Sequence, residues 1–470
     1  MTLKLMNTYG RKLQKFVPLK KNTVKMYTCG PTVWDYAHIG NFRTYVFQDV
    51  LRRYLEYKGY RVIQATNITD VDDKTIRQSK ATGRTLPEYT KEYEEAYFAD
   101  LESLNIERAE HYPRATEHID QMMALVRKLI RKGFAYQAEG STYFDISKFK
   151  AYGRLSGTRL DDLKAGARVD SDEYSKDEAR DFVLWKGWRP EDGVVFWETA
   201  IGRGRPGWHI ECSAMSMKYL GTTFDIHSGG EDLIFPHHEN EIAQSEAATG
   251  KRFARFWLHS GMLLVAGRKM AKSSGNFFTL RDLLSKGHDP LAVRYLLMAA
   301  HYRAQLNFTE EALADAEKAV EAMRGTYRRV RNIDAKGKQD NLLLQRALLR
   351  EEREFEKAMD DDLNTPRALA AVHRTARVLN RAIDQGEVSR RDALAIHRLF
   401  SKLDRVLGII TEPTKTQELP KDAERLMRER EQARANKDWA TADRLRRELF
   451  AIGIVVEDTQ KGAVWKRRPQ

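Results

Sequence analysis

The chain has 470 residues and a formal net charge of +13, from 80 Lys and Arg against 67 Asp and Glu. This length suits roughly three domains, and the positive charge suits a polyanionic partner such as a nucleic acid, although a solubilised surface explains it equally well. No apolar run reaches the roughly 18 residues that span a bilayer, and residues 1–10 lack the apolar stretch of a signal peptide; we therefore expect a cytoplasmic protein with no membrane partner.

Strand-like and helix-like patterns alternate through the first third of the chain. Residues 24–28 and 62–67 have strand patterns, a helical pattern lies between them at 41–58, and further helical patterns extend to about residue 133. This βαβ order predicts an α/β fold with a Rossmann-like, doubly wound parallel sheet. The functional site is then expected at the carboxyl ends of the strands.

The rest of the chain changes character several times. A turn-rich, acidic stretch at 133–200 predicts an inserted subdomain, and strand patterns resume near 224–230 and 257–264. From 281 to about 407 the pattern is wholly helical, which predicts a helix bundle, and 412–420 is typical of a linker.

The last segment, residues 422–450, is basic and amphipathic. Its predicted apolar stripe consists of Leu426, Ala433, Trp439, Ala442, Leu445 and Leu449. A basic helical face of this kind is either solvated or an RNA site, and the pattern alone does not decide between them.

Four residues combine the ligand types of a divalent-metal site: Cys29, Cys212, His237 and Glu241. Pro236 suits the first turn of a helix that Gly250 ends, which places the histidine and the carboxylate one turn apart on one face. Thiolate, imidazole and carboxylate together suit zinc. Two buried, inert thiols are a simpler explanation of the cysteines, and His238 competes with its neighbour for the ligand role. A disulfide is disfavoured because nothing indicates an oxidising compartment.

Two other segments together suit a polyphosphate. One is the turn His38-Ile39-Gly40-Asn41, and the other is a loop that begins at Lys269-Met270-Ala271-Lys272-Ser273 and continues to Asn276. The loop alone is a weak signal, since Lys, Ser and Gly are common on solvated surfaces. The two motifs in one chain indicate a nucleotide site.

With these motifs the chain resembles the class I aminoacyl-tRNA synthetases, whose "HIGH" and "KMSKS" signatures match the turn and the loop. Within that class it resembles the cysteinyl-tRNA synthetases nearly end to end, most closely at 29–33, 67–74, 205–212 and 235–241. Asn41 replaces the last histidine of the first signature, and Ala271 replaces the first serine of the second. Asn41 can still donate a hydrogen bond and both lysines remain, so we expect activity to survive.

The resemblance implies activation of L-cysteine by ATP and transfer of the cysteinyl group to the 3′ end of tRNA(Cys). The catalytic residues are then His38, Asn41, Lys269 and Lys272, which stabilise charge on the phosphates. The implied ATP site adds Gly40, Gly229, Gly230 and Asp232. The implied cysteine pocket consists of Cys29, Thr69, Trp208 and Asp232; whether Asp232 and its neighbouring glycines bind the ribose or the substrate ammonium stays open.

The resemblance also implies one zinc ion per chain, bound by the four ligands given above, and Mg²⁺ with ATP. An apolar pocket separates near-isosteres by only about 10- to 200-fold, whereas zinc prefers a thiolate to a protonated hydroxyl and so distinguishes cysteine from serine. Iron or cobalt can occupy similar ligands. Oligomeric state is not visible in the sequence, and a monomer is our expectation.

We predict six segments: residues 1–132 and 206–265 as the two halves of the Rossmann-like catalytic domain, 133–205 as the insertion, 266–320 as the KMSKS-loop stem-contact region, 321–411 as a tRNA-binding helical bundle, and 421–470 as an anticodon-binding domain. The anticodon residues that match the family are Arg434, Trp439, Asp443 and Asp458. Trp439 has a structural alternative, in which it fills the space between the C-terminal helices.

Two other functions fit some of these features. A ligase that joins cysteinyl-adenylate to a small amine such as an aminosugar shares the metal and ATP motifs but should lack a C-terminal RNA module. A non-catalytic RNA-binding relative has no need for His38, both lysines and all four metal ligands. The presence of the full set favours the synthetase.

Overall fold

The computed structural model describes residues 2–158, 168–169, 181–270, 275–331, 333, 339–410, 421–436, 438–452, 454–459 and 462–467, without the side chains of 168–169 and of several residues beyond 420. The predicted linker at 412–420 lies outside these ranges. No helix among the described residues is long and apolar enough to cross a membrane.

The first part of the chain forms a small hairpin and the first half of the catalytic sheet. Its elements are β1 (Lys4–Asn7), β2 (Lys12–Lys15), β3 (Thr23–Thr28), α1 (Ile39–Tyr57), β4 (Arg61–Thr66), α2 (Asp73–Ala81), α3 (Leu86–Ser103) and α4 (Ile119–Arg131). Strands β3 and β4 pair in parallel through the crossover helix α1. The βαβ order predicted from the sequence is confirmed.

An inserted sheet follows, with strands β5 (Ala135–Ala138), β6 (Ser141–Phe144), β7 (Arg168–Val169), β8 (Asp181–Gly187) and β9 (Gly204–Pro206). Its order is β5-β6-β8-β7, and β9 pairs with β8. Its strands fall within the stretch predicted for the insertion except at Pro206, the last residue of β9.

The chain then returns to the catalytic sheet through α5 (Trp208–Leu220), β10 (Phe224–Gly230), α6 (Glu239–Thr249) and β11 (Ala254–Ser260). The sheet is completed as four parallel strands in the order β11-β10-β3-β4. The predicted α/β class is confirmed. Phe235 is extended (φ −139°, ψ 134°) and kinks a π-helical turn at Ile234–His238, and this turn continues directly into α6 at Glu239. The helical path predicted from Pro236 is therefore present, with its first residues in the π-helical turn. Gly250 ends the helix in the left-handed region, as predicted.

A second small sheet leads into the loop that begins at Lys269. It contains β12 (Leu263–Val265), β13 (Arg268–Lys269) and, after α7 (Leu280–Ser285) and α8 (Pro290–Met298), β14 (Leu306–Phe308). The order is β13-β12-β14, with β12 and β14 parallel. The prediction of a wholly helical chain from residue 281 is therefore wrong at β14, whose three residues carry too little periodicity to be recognised.

Four long helices form the bundle: α9 (Glu310–Arg331), α10 (Leu342–Asp360), α11 (Thr365–Asp384) and α12 (Arg390–Leu407). One apolar core runs from the sheet side of α1 through α8 into this bundle and includes Val46, Leu51, Leu297 and Phe400. The bundle thus packs on α1 and α8 and shares one core with the parallel sheet.

The last described elements are α13 (Lys421–Ala435), α14 (Trp439–Ala451), β15 (Ile454–Thr459) and β16 (Gly462–Arg467). The basic amphipathic segment forms two helices, and the antiparallel hairpin β15–β16 was not predicted. Leu426, Leu445 and Leu449 form part of a separate small core. Trp439 does not belong to the predicted stripe, because it begins α14 and is 57% exposed.

Candidate active site

The carboxyl ends of the parallel strands open into one cavity of about 390 Å³, a volume typical of small-molecule sites. Cys29 directly follows β3, and its amide donates to the Ser228 carbonyl of β10 at 3.0 Å. Asn67 follows β4, and Gly230 ends β10. The cavity lies where the α/β topology predicts a ligand site.

The turn at 38–41 begins α1 and is fixed by a reciprocal capping pair. Asn41 N–H donates to His38 Nδ1 at 3.2 Å, and His38 N–H donates to Asn41 Oδ1 at 3.1 Å. Because Nδ1 accepts, the neutral imidazole carries its proton on Nε2. Burial lowers the pKa of His38 to about 4, so the ring is neutral at neutral pH. His38 Nε2–H, the Asn41 amide N–H groups and the start of α1 are thus donors available to an anion.

Gly40 allows the close packing of this turn. A Cβ at this position would lie 2.9 Å from His38 Nδ1 and 3.1 Å from Met270 Cε. The turn at 38–41 therefore packs directly against Met270 in the loop that begins at Lys269. Ile39 N–H donates to the Phe278 carbonyl at 3.0 Å and fixes the far side of the same loop.

The four predicted metal ligands converge behind the cavity. One ligand atom from each of Cys29, Cys212, His237 and Glu241 lies within 4.8 Å of all the others, and all four residues are buried. His237 Nε2 and Glu241 Oε1 are 3.1 Å apart. Two thiols, an imidazole and a carboxylate that converge at this spacing in a buried position are the ligand types that zinc takes, so the residues fit zinc.

A second set, Cys29, His227, His238 and Glu241, also has the required spacing. Both nitrogens of His238 are already engaged, Nε2 with Cys29 Sγ at 3.2 Å and Nδ1 with His259 Nε2 at 2.7 Å. His227 Nε2 lies 2.9 Å from Glu241 Oε2. Moreover, Cys29 and His237 line the cavity, whereas His227 and His238 do not. The first set is the better metal site, and the second supports it from behind.

The electrostatics of the thiols agree with this choice. Burial alone would raise the pKa of Cys29, but hydrogen bonds with Cys212 and His237 lower it to about 6. The pKa of Cys212 is raised well above its ordinary value by burial and then by Cys29. These hydrogen bonds favour the thiolate of Cys29 over that of Cys212, and a bound dication would favour deprotonation of both.

Hydrogen bonds hold the ligand-bearing elements together. Gly30 N–H donates to Asn67 Oδ1 at 2.9 Å, Asn67 Nδ2 donates to Thr69 Oγ1 at 3.1 Å, and Thr69 Oγ1 donates to Glu211 Oε2 at 2.9 Å. This chain ties the ends of β3 and β4 to α5. Trp208, one turn before Cys212 on α5, stacks on the His237 ring at 4.0 Å between centroids.

The predicted site residues fall into three groups. Those that line the cavity are Cys29, His38, Gly40, Asn41, Trp208, Gly230, Asp232, His237 and Lys269. Those behind it are Thr69, Cys212, Glu241 and Gly229; the last is packed so closely that a Cβ would lie 2.8 Å from His238 Cε1. Lys272 and Ala271 lie outside the described residues.

Several lining residues were not predicted. The wall Ser260–Leu263, Met270, Phe277, Lys74 and the aromatic pair Trp34 and Tyr36 all border the cavity. The two aromatic residues stand in the stretch just before the turn at 38–41, so their position was a usable signal. The wall at 260–263 has no motif.

The predicted anticodon residues lie near the end of the chain, three of them in α13 and α14 and one in β15. Arg434 is half-buried at the end of α13 with its guanidinium 5.7 Å from the Trp439 ring, and Asp443 is exposed on α14. Asp458 belongs to β15, but its side chain lies outside what the structure describes. The alternative in which Trp439 fills the helix interface is excluded by its 57% exposure.

Comparison with known families agrees with this architecture. Residues 15–318 match the family described as "tRNA synthetases class I (C) catalytic domain", 354–411 match the "DALR domain", and 416–465 match the "Cysteinyl-tRNA ligase anticodon binding domain". Fold and site together define a class I tRNA synthetase.

The full-length relatives are more specific. "Cysteine--tRNA ligase" of Protochlamydia amoebophila is 47% identical over 99% of this chain and 98% of its own length, and that of Chlamydia pneumoniae is 48% identical over 97% and 96%. The chain belongs to the cysteine–tRNA ligase family. The match of its C-terminal domain disfavours the aminosugar ligase.

Solved structures show the same fold at low identity. A Mycobacterium tuberculosis methionyl-tRNA synthetase has a TM-score of 0.60 at 16% identity and covers 83% of this chain and 90% of its own. A LeuRS complex from Agrobacterium radiobacter has a TM-score of 0.59 at 12% identity, with coverage of 84% and 85%.

Proposed function

We propose that this chain joins L-cysteine to the 3′ end of tRNA(Cys) at the expense of ATP, and that one zinc ion bound by Cys29, Cys212, His237 and Glu241 selects the amino acid. The proposal rests on one observation: Cys29 and His237 of this ligand set line the same cavity as the turn at 38–41 and Lys269. An amino-acid site and a polyphosphate site therefore share one chamber. We place the activity in the cytoplasm and expect a monomer.

Bound zinc would supply a soft Lewis acid that prefers the substrate thiolate to a serine hydroxyl. The protein's own residues shape the rest of the pocket. Trp208, stacked on His237, walls off the ligand set, and Thr69 supports the floor through Glu211. Asp232 lines the cavity and offers a carboxylate to the substrate ammonium or to the ribose.

Activation needs charge stabilisation and orientation and no covalent step by the protein. His38 Nε2–H and the Asn41 side-chain amide would donate to phosphate oxygens as negative charge builds during the in-line displacement. Lys269 and Lys272 would neutralise the departing pyrophosphate together with Mg²⁺. Asn41 performs this role with one amide group, since its oxygen already accepts from His38 N–H.

The function is tested by exchange of labelled pyrophosphate into ATP with each of the twenty amino acids, together with metal analysis and charging of bulk tRNA. We expect exchange with cysteine only, about one zinc per chain, and charging of tRNA. Exchange without charging would replace the proposal with a small-amine ligase. Absence of exchange by the metal-loaded protein would reject catalysis altogether.

The metal's role is tested by Cys212→Ser, with Ser216→Ala one turn further along α5 as the control. Both positions are fully buried, but only the first removes a ligand. We expect Cys212→Ser to lose zinc and most cysteine-over-serine discrimination while ATP binding and the fold remain. Full discrimination by a zinc-free Cys212→Ser protein would refute the selection role.

A further inference from the structure

Within the cavity wall at 260–263, residues 260–262 join strand β11 to strand β12. Side chains from elsewhere in the chain bind each of these three residues. Thr44 Oγ1 and Ser260 Oγ are 2.8 Å apart, Arg43 Nε donates to the Gly261 carbonyl at 3.1 Å, and Met262 N–H donates to Glu231 Oε1 at 2.9 Å. Gly261 N–H donates to the Tyr302 carbonyl at 2.7 Å. All three wall residues line the cavity. The position of this wall is thus set by distant parts of the chain.

Arg43 holds more than this wall. It is 1% exposed, and its other donors bind the carbonyls of Leu297 at 3.0 Å, His301 at 3.1 Å and Ala304 at 2.6 Å. Among the residues that the structure describes, its hydrogen-bond acceptors are all backbone carbonyls. Burying a cation among neutral acceptors is costly, and an apolar residue of similar volume is often no less stable. The guanidinium instead provides a rigid fork that binds several segments in a fixed geometry.

The segments joined by Arg43 are the supports of the ATP half of the cavity. On its own helix, Arg43 stands two residues after Asn41. The 301–304 turn leads into β14, which pairs with β12, and β12 pairs with β13, where Lys269 lies. One side chain therefore connects the phosphate-facing turn, the wall and the base of the lysine-bearing sheet.

We propose that Arg43 is a positioning residue for ATP: its four carbonyl contacts set the distance between the turn at 38–41 and the strand that carries Lys269. The inference rests on the proposed function, because it takes these two segments as the phosphate site. In this proposal Arg43 acts only through the backbone carbonyls that it binds, and it contacts neither the metal ligands nor the substrate.

The test is Arg43→Lys, which retains a cation but loses the fork. We expect kcat/KM for ATP in cysteine-dependent exchange to fall on the order of tenfold to hundredfold, since a shift of about 1 Å at a reacting centre has that effect. The KM for cysteine should change by no more than about twofold, and zinc content should stay the same. A purely structural role would not separate the two substrates in this way.

Arg294→Lys is the matched control. Arg294 is also fully buried and donates to the carbonyls of Leu407, Leu104 and Asn105; it pairs in addition with the Asp49 carboxylate, and none of these acceptors is a carbonyl that Arg43 binds. It should lose stability without a selective change for ATP. If the two lysine variants show the same kinetic pattern, the positioning role of Arg43 is overturned.

Gly261→Ala provides a second test if Arg43→Lys does not fold. A Cβ there would lie 2.7 Å from the Ala304 carbonyl and push the wall away from the 301–304 turn with Arg43 intact. We expect the same ATP-selective loss, and an unchanged kcat/KM for ATP would contradict the proposal. Exchange by the wild-type protein with cysteine is measured in parallel, and its absence would reject the proposed function. Normal wild-type exchange, together with variants whose ATP and cysteine kinetics change equally, would reject only the role of Arg43.

Discussion

At the scale of single residues, the turn at 38–41 shows how asparagine replaces histidine without loss of geometry. The side-chain oxygen of Asn41 completes the capping pair with His38 N–H, and its NH₂ group stays available as a donor. His38 is fixed by the same pair as a neutral Nε2–H tautomer. The substitution therefore preserves both the helix start and the donors.

Gly40→Ala tests how tightly this turn must pack. The added Cβ would lie 2.9 Å from His38 Nδ1 and 3.1 Å from Met270 Cε, so either the imidazole or the loop must shift. We expect kcat/KM for ATP in the exchange reaction to fall on the order of 10²-fold. The zinc content per chain should stay unchanged. Gly59→Ala is a useful control for glycine replacement in general, because no atom lies within 4 Å of its Cβ, although its φ of +87° adds strain. Equal activity of wild type and Gly40→Ala would show that the turn tolerates a side chain.

The sequence was informative about residues that carry chemistry and uninformative about those that only position them. Cys29, Cys212, His237 and Glu241 are rare residue types in recognisable surroundings, and the structure brings them together. Gly261 and Met262 border the cavity where Arg43, 218 residues from Gly261, and Glu231 hydrogen-bond to them. No local pattern records a contact of that separation.

At the scale of elements, the C-terminal helices show where periodicity misleads. The single apolar stripe predicted over 422–450 is divided between two helices, α13 and α14, and Trp439 at the start of α14 is exposed. Asp438 caps α14 by accepting from Thr441 N–H at 3.1 Å. Asp438 followed by Trp439 was therefore a sequence signal for the start of α14, although the apolar pattern had placed Trp439 within the buried stripe.

Trp439→Ala separates RNA binding from stability. Because the indole is 57% exposed, its loss should leave the free energy of unfolding nearly unchanged. If a base stacks on it, about 1–3 kcal/mol of tRNA binding is lost, seen as a rise in KM for tRNA with normal pyrophosphate exchange. Leu445→Ala in the buried core of the same helices should instead cost about 2–5 kcal/mol of stability. An unchanged KM for tRNA in Trp439→Ala would remove this residue from the anticodon site.

At the scale of the whole molecule, the α/β class and the helical second half could be predicted because their periodicities are long. The three-residue strand β14 and the hairpin β15–β16 could not, since short strands depend on partners elsewhere in the chain. β14 matters beyond its length, because it couples the bundle side of the molecule to the sheet that carries Lys269.

The catalytic centre also contains several buried neutral histidines, which predicts acid sensitivity. Burial lowers the pKa of His259 to about 3 and that of His38 to about 4, whereas both bind protons near pH 6.5 when unfolded. The unfolded state therefore holds more protons between these values, so the free energy of unfolding falls as the pH decreases from about 6.5 towards 4. The stabilising contribution of each neutral ring is fully present only above that window.

His259→Asn isolates one of these protons. His259 bonds His238 at 2.7 Å on one side and Thr8 Oγ1 at 2.7 Å on the other. Removing the ring should reduce the pH slope of the unfolding free energy between pH 5 and 6 by about 1.4 kcal/mol per pH unit, the value for one proton, measured by denaturant titration at fixed zinc. Thr8→Val removes the hydroxyl partner but no titrating group, so it should lower stability and leave the slope unchanged. A wild-type slope in His259→Asn would mean that this histidine is already protonated in the folded protein, so that its contacts with His238 and Thr8 are those of an imidazolium.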